Sequence, residues 1–205
     1  MAWGLDKLIT PVLVGLVLAV FGILAPPWIA RRLQMPTCQD PGDLVLVTPT
    51  TVGGGSKPPD TFQNRGAVSY WPANLVDDNT STAWVEGEPG LGLGAQLTLH
   101  FDPDADVRLV CIVDGYAESW DLYKRNSRVR LLKVDSDQGT RTALLADAGS
   151  PDRPAVYQQL NTEAGPTSRL TLTIVSAYAA QRDSALTTAY PDTSISEVEV
   201  WAAKR

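Results

Sequence analysis

A short segment from Asn74 to Trp84, NLVDDNTSTAW, is crowded with oxygen-bearing side chains. The donors are Asp77, Asp78, Asn79, Thr80 and Thr82. Carboxylate, amide and hydroxyl oxygens are hard ligands, which suit calcium better than a soft metal. The same residue types also form ordinary Asx turns, in which side chains hydrogen-bond the nearby backbone. The segment lacks the ligand ladder of an EF-hand. From the residues alone, a calcium site and a plain turn both remain open.

A second group of side chains has the chemistry of a carbohydrate site. Its aromatic and planar polar members are Trp84, Tyr116, Trp120, Tyr123, Asn126 and Arg128. Tryptophan and tyrosine rings stack on the apolar faces of sugars, and asparagine, arginine and glutamate hydrogen-bond the hydroxyl groups. Large aromatic side chains are also common in protein cores. Each member therefore has an alternative interpretation as a buried core residue.

Enzymatic chemistry has little support in the sequence. His100 is the one histidine, so a nucleophile with a histidine base would have to use it. Its position between Leu99 and Phe101 in a strand-like run favours a solvent-facing strand histidine. The GLGLG run at residues 90–94 lacks the strand-before, helix-after context of a dinucleotide site and predicts a tight approach before the next strand. The net charge of −6 opposes binding to nucleic acid.

Short strand-like runs fill the chain from about residue 61 to its end. The clearest are residues 95–101, 107–114, 128–134, 142–145, 169–176 and 195–201. Apolar residues alternate in AQLTLHF and in SEVEVWA, which is the period of a half-buried strand. After residue 32 no segment sustains a helical stripe for three turns, and βαβ spacing is absent. The pattern predicts an all-β domain over residues 61–205, an antiparallel sandwich or barrel.

The N-terminal segment predicts a membrane anchor. Residues 8–30 carry no charge and are followed by Arg31 and Arg32. A helix of that length spans about 34 Å, enough for the hydrocarbon layer of a bilayer. A buried core helix and a cleaved signal peptide are the alternatives, but the segment has no polar face and no clear cleavage site. Residues 1–32 are therefore interpreted as a tail and one transmembrane helix. The two arginines outnumber Lys7 and weakly favour a cytosolic C-terminal domain.

Residues 33–60 are rich in proline and glycine, which predicts a juxtamembrane linker with at most one edge strand. Cys38 lies in this linker. Cys111 lies in an apolar strand-like run and has the plain interpretation of a small core residue. A bridge between the two would require the linker to lie over the sheet. The sequence leaves that pairing open.

Three separated blocks resemble one known family. They are TAWVEGEPGLGLGAQLTLHF, DGYAESWDLYKRNSRVR and DTSISEVEVW. In this order they are similar to the NADase-type glycan-binding domain, a discoidin-like module of bacterial proteins in the galactose-binding jelly-roll superfamily. The resemblance covers about residues 68–201. It implies an antiparallel β-sandwich (jelly roll) that binds carbohydrate without catalysing a reaction.

The resemblance also implies a structural calcium ion. Related discoidin-like lectin modules bring a D-G-x-x-x-T-x-W turn and a late glutamate together around the ion. Asp77 and Thr82 match the turn, and Glu197 matches the glutamate. Asp78 stands where that pattern has glycine, which puts the backbone geometry of the turn in question. The stretch from Ala179 to Pro191 is longer than the usual loop, at an end of the sandwich where ligand loops cluster.

These observations predict a single-pass membrane protein whose sandwich binds glycan or cell-wall carbohydrate and is not an enzyme. The predicted ligand-binding residues are Trp84, Glu86, Tyr116, Tyr123, Asn126 and Arg128. The alternative is a scaffold subunit of a membrane complex that uses the sandwich surface to bind protein. A glycan role favours a location outside the cytoplasm, against the weak charge argument from the flanking arginines.

Overall fold

The computed structural model describes residues 35–55, 57, 61–63, 66–181 and 189–205. The elements are β1 (Val45–Leu46), β2 (Thr51–Gly54), β3 (Thr61–Gln63), β4 (Gly66–Val68), a 3₁₀ helix (Pro72–Val76), β5 (Trp84–Val85), β6 (Gln96–Asp114), α1 (Trp120–Arg125), β7 (Ser127–Ser136), β8 (Gly139–Leu144), β9 (Tyr157–Asn161), β10 (Pro166–Tyr178) and β11 (Thr193–Ala202). The predicted anchor, residues 8–30, lies outside the described residues. Within those residues, no helix combines the length and apolarity that a membrane crossing needs.

The long strand β6 organises the fold, because its two halves pair with different partners. Its first half pairs with β2 and β10, and its second half pairs with β9 and β11. Exposed residues 102–104 interrupt the alternation of buried and exposed side chains between the halves. One layer is therefore β2–β6–β10–β7–β8, and the other is β1–β11–β6–β9 with β5 beside the start of β11. This arrangement confirms the predicted all-β sandwich.

The core lies between the two layers and follows the predicted alternation. Leu97, Leu99 and Phe101 of β6 are buried together with Val198 and Val200 of β11. Because side chains of a strand alternate between its faces, every second residue enters this core. Two layers packed in this way leave loops gathered at both ends of the sandwich. Those loops carry the sites described below.

Residues 37–54, within the predicted linker, are tied to the sandwich at three points. Val45 of β1 pairs with Ala202 of β11, and β2 pairs with the first half of β6. Cys38 forms a disulfide with Cys111, with 5.7 Å between their Cα atoms. The pairing that the sequence left open is therefore present, and this segment does lie over the sheet. Residues 37–205 form one compact unit.

Candidate functional site

One end of the sandwich collects most of the residues singled out from the sequence. We call it the α1 end: helix α1 together with the loops 77–83, 115–119 and 145–153. Ser119 caps the helix, because its hydroxyl accepts a hydrogen bond from the Leu122 amide at 3.2 Å. Gly115 begins the loop with a φ of +80°, and a Cβ there would lie 2.8 Å from the Tyr123 ring. Only glycine allows this close approach.

A buried arginine holds the loops of the α1 end together. The Arg128 guanidinium donates two hydrogen bonds to the Asp147 carboxylate, both at 2.9 Å, and a third to the Asn126 carbonyl at 2.8 Å. The Tyr123 hydroxyl donates to Asp147 at 2.9 Å and accepts from the Gly149 amide at 3.1 Å. Although burial raises the pKa of Asp147, hydrogen bonds and charge from Arg128 lower it below its ordinary value. We call Arg128, Asp147 and Tyr123 the arginine cluster.

Asp114 lies beside the arginine cluster at the end of β6. Its Oδ1 atom accepts a hydrogen bond from the Val129 amide at 2.7 Å. Its Oδ2 atom is buried and has no hydrogen-bond partner among the described residues. Burial raises the pKa of Asp114 well above its ordinary value, and the hydrogen bond from Val129 and the charge of Arg128 only partly oppose this. Burial therefore favours the neutral form of this carboxyl group.

Glu86 fastens the loop that follows β5. Its carboxylate accepts hydrogen bonds from the amides of Thr193 at 3.3 Å and Glu88 at 2.8 Å. Burial is the main cause that raises its pKa, and these two hydrogen bonds oppose the shift. At Gly92 a Cβ would lie 2.4 Å from the Glu86 side chain, and the φ of this residue is +60°. The GLGLG run therefore makes the predicted tight approach, over a glutamate.

The remaining predicted ligand residues are also part of the framework. Trp84 lies in the main core. Tyr116 belongs to a smaller cluster with Ala83 and Val85, and meets Tyr70 edge to face with ring centroids 6.4 Å apart. Outside these clusters, the side-chain amide of Asn126 donates to the Leu122 carbonyl at 2.8 Å and so closes the last turn of α1.

The structure corrects the predicted set of ligand contacts. The six residues are Trp84, Glu86, Tyr116, Tyr123, Asn126 and Arg128, and none is more than 5% exposed. A ring without exposed surface cannot stack on a sugar, and the Glu86 carboxylate, which is 0% exposed, cannot reach a ligand hydroxyl group. These residues position the loops of the α1 end and do not face a ligand there.

Three other aromatic side chains reach the surface, and two of them, Trp120 and Tyr190, lie at or beside helix α1. Trp71 is 55% exposed and Tyr190 is 38% exposed, while Trp120 is partly exposed and stacks on Tyr123 with 5.5 Å between centroids. Cations lie over all three rings: Lys57 over Trp71, Arg125 over Tyr190 and Lys124 over Trp120. Sequence reasoning noticed Trp120 but missed Trp71 and Tyr190. The long 179–191 loop, which contains Tyr190, was the available signal.

The predicted metal ligands meet at the turn before β5. The Thr82 hydroxyl donates to the Asp77 carboxylate at 2.8 Å, and the Glu197 carboxylate accepts from the Asn79 amide at 3.0 Å. Asp78 has a φ of +57°, so it adopts the left-handed conformation that the family pattern assigns to glycine. The turn therefore keeps its backbone geometry despite the substitution. We call Asp77, Asp78 and Glu197 the acidic turn.

The electrostatics of the acidic turn fit a divalent cation. Burial, together with the negative charges of Asp77 and Asp78, raises the pKa of Glu197 to about 7. Among the described residues, no three His, Cys, Asp or Glu side chains form a metal-binding group by themselves. A cation here would therefore need hydroxyl or backbone oxygens as well as carboxylates, which is the ligand set that calcium accepts. Asp77, Thr82 and Glu197 would hold it, and the ion would fasten the turn to β11.

His100 lies far from this chemistry. It is exposed on the outer face of its layer, where its register partners are Thr51 and Arg169. This position matches the expected solvent-facing strand histidine.

Comparisons with solved structures identify the fold. CBM32-3 from a family 31 glycoside hydrolase of Clostridium perfringens is similar, with a TM-score of 0.52 and 14% identity over 79% of this chain and 96% of that chain. The CBM32-1 and CBM32-2 domains of Clostridium perfringens ZmpB, in complex with GalNAc, match with a TM-score of 0.50 and 7% identity over 76% of this chain and 33% of that chain. At these identities the similarity shows the fold alone.

A third similar structure is the arabinofuranosyltransferase AftD from mycobacteria, with a TM-score of 0.51 and 16% identity over 76% of this chain and 10% of that chain. This chain therefore spans about a tenth of AftD. No curated protein matches the sequence. The family model described as "NAD glycohydrolase translocation F5/8 type C domain" matches residues 57–201, more than half of the chain. The discoidin-like resemblance is thereby confirmed, and the chain belongs to the NAD glycohydrolase translocation F5/8 type C domain family.

Proposed function

We propose that this protein is a membrane-anchored, non-catalytic module that binds glycan or cell-wall carbohydrate at the α1 end of its sandwich. The observation that carries the proposal is a discoidin-like fold whose α1 end presents two surface aromatic rings, Trp120 and Tyr190, beside a buried polar framework. The CBM32 domains of ZmpB, which share the fold, bind GalNAc. A preformed framework favours binding because few side chains must be ordered when the ligand arrives.

We assign ligand contact to Trp120 and Tyr190 instead of the buried residues predicted from the sequence. Exposed aromatic rings bury the apolar face of a sugar at low entropic cost. Arg125 lies beside them, where it donates to the Tyr190 hydroxyl at 2.9 Å and to Asp121 at 3.0 Å. Such polar groups give a carbohydrate site its orientation and specificity.

The test uses the full chain in detergent micelles on a glycan array, followed by calorimetry with the best saccharide. Trp120→Ala and Tyr190→Ala should each weaken binding by about tenfold, because stacking of a sugar on one ring contributes about 1–1.5 kcal/mol. Leu144→Ala is the matched control, since it removes an exposed apolar side chain of β8. The proposal fails if no saccharide binds at about millimolar concentration, an affinity of only about 4 kcal/mol.

We also propose that calcium, held by Asp77, Thr82 and Glu197, is part of this module. It would act as a structural ion that neutralises the acidic turn. The raised pKa of Glu197 and the left-handed Asp78 support this assignment.

We propose that the sandwich lies outside the cytoplasm, anchored by residues 8–30. The Cys38–Cys111 disulfide supports this side of the membrane, because such bonds persist in oxidising compartments and are rare in the cytosol. The test replaces exposed Asp43 by cysteine and labels intact cells with a membrane-impermeant maleimide. Labelling before permeabilisation is expected. Labelling only after permeabilisation would place the domain in the cytosol.

A scaffold function is the second candidate, and an apolar strip on the outer face of one layer favours it. Leu131 of β7 pairs directly with exposed Leu144 of β8. Exposed Val175 lies in a bulge of β10 opposite Leu131, and exposed Leu93 adjoins the same strand. Contiguous apolar surface of this kind marks many protein interfaces.

Purification of the full chain from native membranes separates the two functions. A stoichiometric protein partner that is lost in the double variant Leu144→Lys, Val175→Lys would support the scaffold. Retention of saccharide binding by the same variant would support the glycan module, because the two substitutions leave Trp120 and Tyr190 unchanged.

A further inference from the structure

The end of the sandwich opposite α1 contains a cleft that neither proposed function uses. Three segments form its walls: residues 45–50, the bend of β6 at residues 101–106, and residues 202–205. Its volume is about 470 Å³. Sites for small molecules commonly occupy about 300–1,000 Å³. The cleft is therefore large enough for a small organic ligand.

The floor of the cleft is apolar. Phe101, Ala105 and Ala202 line it and are at least nine-tenths buried. Val45 and Val47 add half-buried aliphatic surface from the N-terminal side. A ligand would gain free energy by placing an aliphatic or aromatic group on this floor, at about 25 cal/mol for each Å² of apolar surface removed from water.

The rim carries charges of both signs that do not neutralise one another. Asp102 and Asp104 are exposed on one segment, and Lys204 and Arg205 are exposed on another. None of these four side chains forms an ion pair within the described part of the chain. Opposite charges that share a rim without pairing leave both available to a bridging ligand.

Asp106 lies on the same segment as Asp102 and Asp104 but, unlike them, forms an ion pair. Its carboxylate accepts two hydrogen bonds from Arg108, both at 2.7 Å, and one from the Gly165 amide at 2.7 Å. The charge and hydrogen bonds of Arg108 lower its pKa. Asp106 is therefore already satisfied within the fold, whereas Asp102 and Asp104 are not.

We propose that this cleft binds a short zwitterionic peptide with free termini and an apolar side chain. The ammonium group would meet Asp102 and Asp104, the carboxylate would meet Lys204 and Arg205, and the side chain would lie on the Phe101 floor. A fatty acid has no positive charge to pair with Asp102 and Asp104. A polyamine has no negative charge to pair with Lys204 and Arg205. Only a ligand with both charges complements the whole rim.

The test is calorimetry of the full chain in detergent with three matched dipeptides: Ala-Leu, N-acetyl-Ala-Leu and Ala-Leu-amide. The acetyl compound lacks the ammonium charge, and the amide lacks the carboxylate charge. Each should bind about three- to fivefold more weakly than Ala-Leu, the effect of one solvent-exposed ion pair. Equal binding of all three, or no binding of Ala-Leu at about 10 mM, would overturn the proposal.

Two variants assign the contacts without disturbing the core, because both residues are exposed. Asp104→Asn should reduce the preference for Ala-Leu over its acetyl derivative, because only Asp102 then faces the ammonium, and should leave the preference over the amide unchanged. Lys204→Gln should do the opposite. Asp121→Asn, an exposed aspartate at the α1 end, is the control and should preserve both preferences. If both variants lose both preferences equally, the ligand does not bridge the rim and the proposal is wrong.

Discussion

Two carboxylates near the same end of the sandwich, the partly exposed Asp147 and the buried Glu197, have pKa values that are shifted in opposite directions. Asp147 in the arginine cluster meets a guanidinium at 2.9 Å, and its pKa falls below its ordinary value. Glu197 in the acidic turn meets one backbone amide and two neighbouring aspartates, and its pKa rises to about 7. Burial raises the pKa of both groups. The sign of the remaining charge decides the outcome.

This difference in charge distinguishes a structural cluster from a candidate binding site. The arginine cluster contains its own counter-charge, so it is complete without a ligand and stabilises the loops. The acidic turn contains negative charge without a cationic side chain, so its folded form is less stable when Glu197 ionises. A protein can tolerate that cost where an external cation later neutralises the site. The comparison predicts that mutations in the two clusters change stability with opposite signs.

Breaking the arginine cluster should have the largest effect. Arg128→Met removes the counter-charge of Asp147 and leaves backbone carbonyls without their donor. We expect the free energy of unfolding to fall by about 3 kcal/mol, the lower end of the range for broken buried pairs, because the Asp147 side chain is 30% exposed and water can solvate it. Urea denaturation followed by tryptophan fluorescence measures it. Arg130→Met, two residues along β7 and exposed, should change it by less than about 0.5 kcal/mol. If Arg128→Met loses saccharide binding but keeps its stability, Arg128 contacts the ligand and its structural role is contradicted.

Glu197→Gln should change the free energy of unfolding in the opposite direction and stabilise the protein. The folded pKa of about 7 exceeds the ordinary value of 4.5, so the folded state binds the proton more tightly. Without calcium, the stability of the wild type should therefore fall as pH rises from about 4.5 to about 7, by up to about 3 kcal/mol. Glutamine stays neutral and keeps an acceptor for the Asn79 amide. The variant should be the more stable protein at pH 8 and should lack this fall.

The control for this pH experiment is Glu199→Gln. Glu199 lies on the same face of β11, is half-buried, and accepts a hydrogen bond from Trp201 Nε1 at 3.0 Å. This variant should show the same fall in stability as the wild type. Chelator is present throughout, so that calcium does not mask the effect. A wild-type stability that is flat between pH 5 and pH 8 would contradict the assigned pKa of Glu197.

Calcium should give the acidic turn the positive counter-charge that Arg128 gives the arginine cluster. At a calcium concentration a hundredfold above Kd, the free energy of unfolding of the wild type should rise by about 2.7 kcal/mol. Asp77→Asn should weaken this response and Glu197→Gln should abolish it. Magnesium is the control ion, because it is smaller and demands a stricter octahedral geometry. Absence of any stabilisation at about 10 mM calcium, above the range of weak extracellular sites, would exclude the proposed ion.

Much of the fold was predictable because it follows from local periodicity. The alternation of Leu97, Leu99 and Phe101 places these residues in the core, and β6 is where the sequence predicted strands. The short strands β1 and β2 were harder to predict. Val45 pairs with Ala202 from the far end of the chain, and a two-residue strand carries almost no periodic signal. The disulfide likewise depends on Cα atoms brought together only by the fold.

The site was predictable in residue type but not in exposure. The sequence places aromatic and planar polar groups near the loops, and the structure brings Tyr123, Asn126 and Arg128 together there. A buried framework and a sugar-binding surface use the same side chains, and sequence periodicity does not distinguish them in irregular loops. Arg128 illustrates this, since its charged acceptor, Asp147, lies 19 residues further along the chain and no local pattern reveals the pairing.

The smallest expected effect tests the backbone of the acidic turn. Asp78 is the only described residue other than glycine with a positive φ, at +57°. Asp78→Gly removes both its charge and its Cβ, whereas Asp78→Ala removes the charge alone. Both variants should lower the pKa of Glu197, because Asp78 contributes to raising it. Differences between them therefore report the conformational cost of a Cβ at this φ.

Alanine in the left-handed region costs about 1–2 kcal/mol. Glycine avoids this cost, but the greater freedom of its unfolded chain offsets part of the gain. We therefore expect the glycine variant to be more stable than the alanine variant by about 1 kcal/mol. Urea denaturation at pH 5 isolates this backbone effect, because the two variants carry the same charge at position 78. Equal stability of the two variants would mean that the turn does not adopt the left-handed conformation. In that case Asp77 and Glu197 would lose the geometry that relates them to a calcium site.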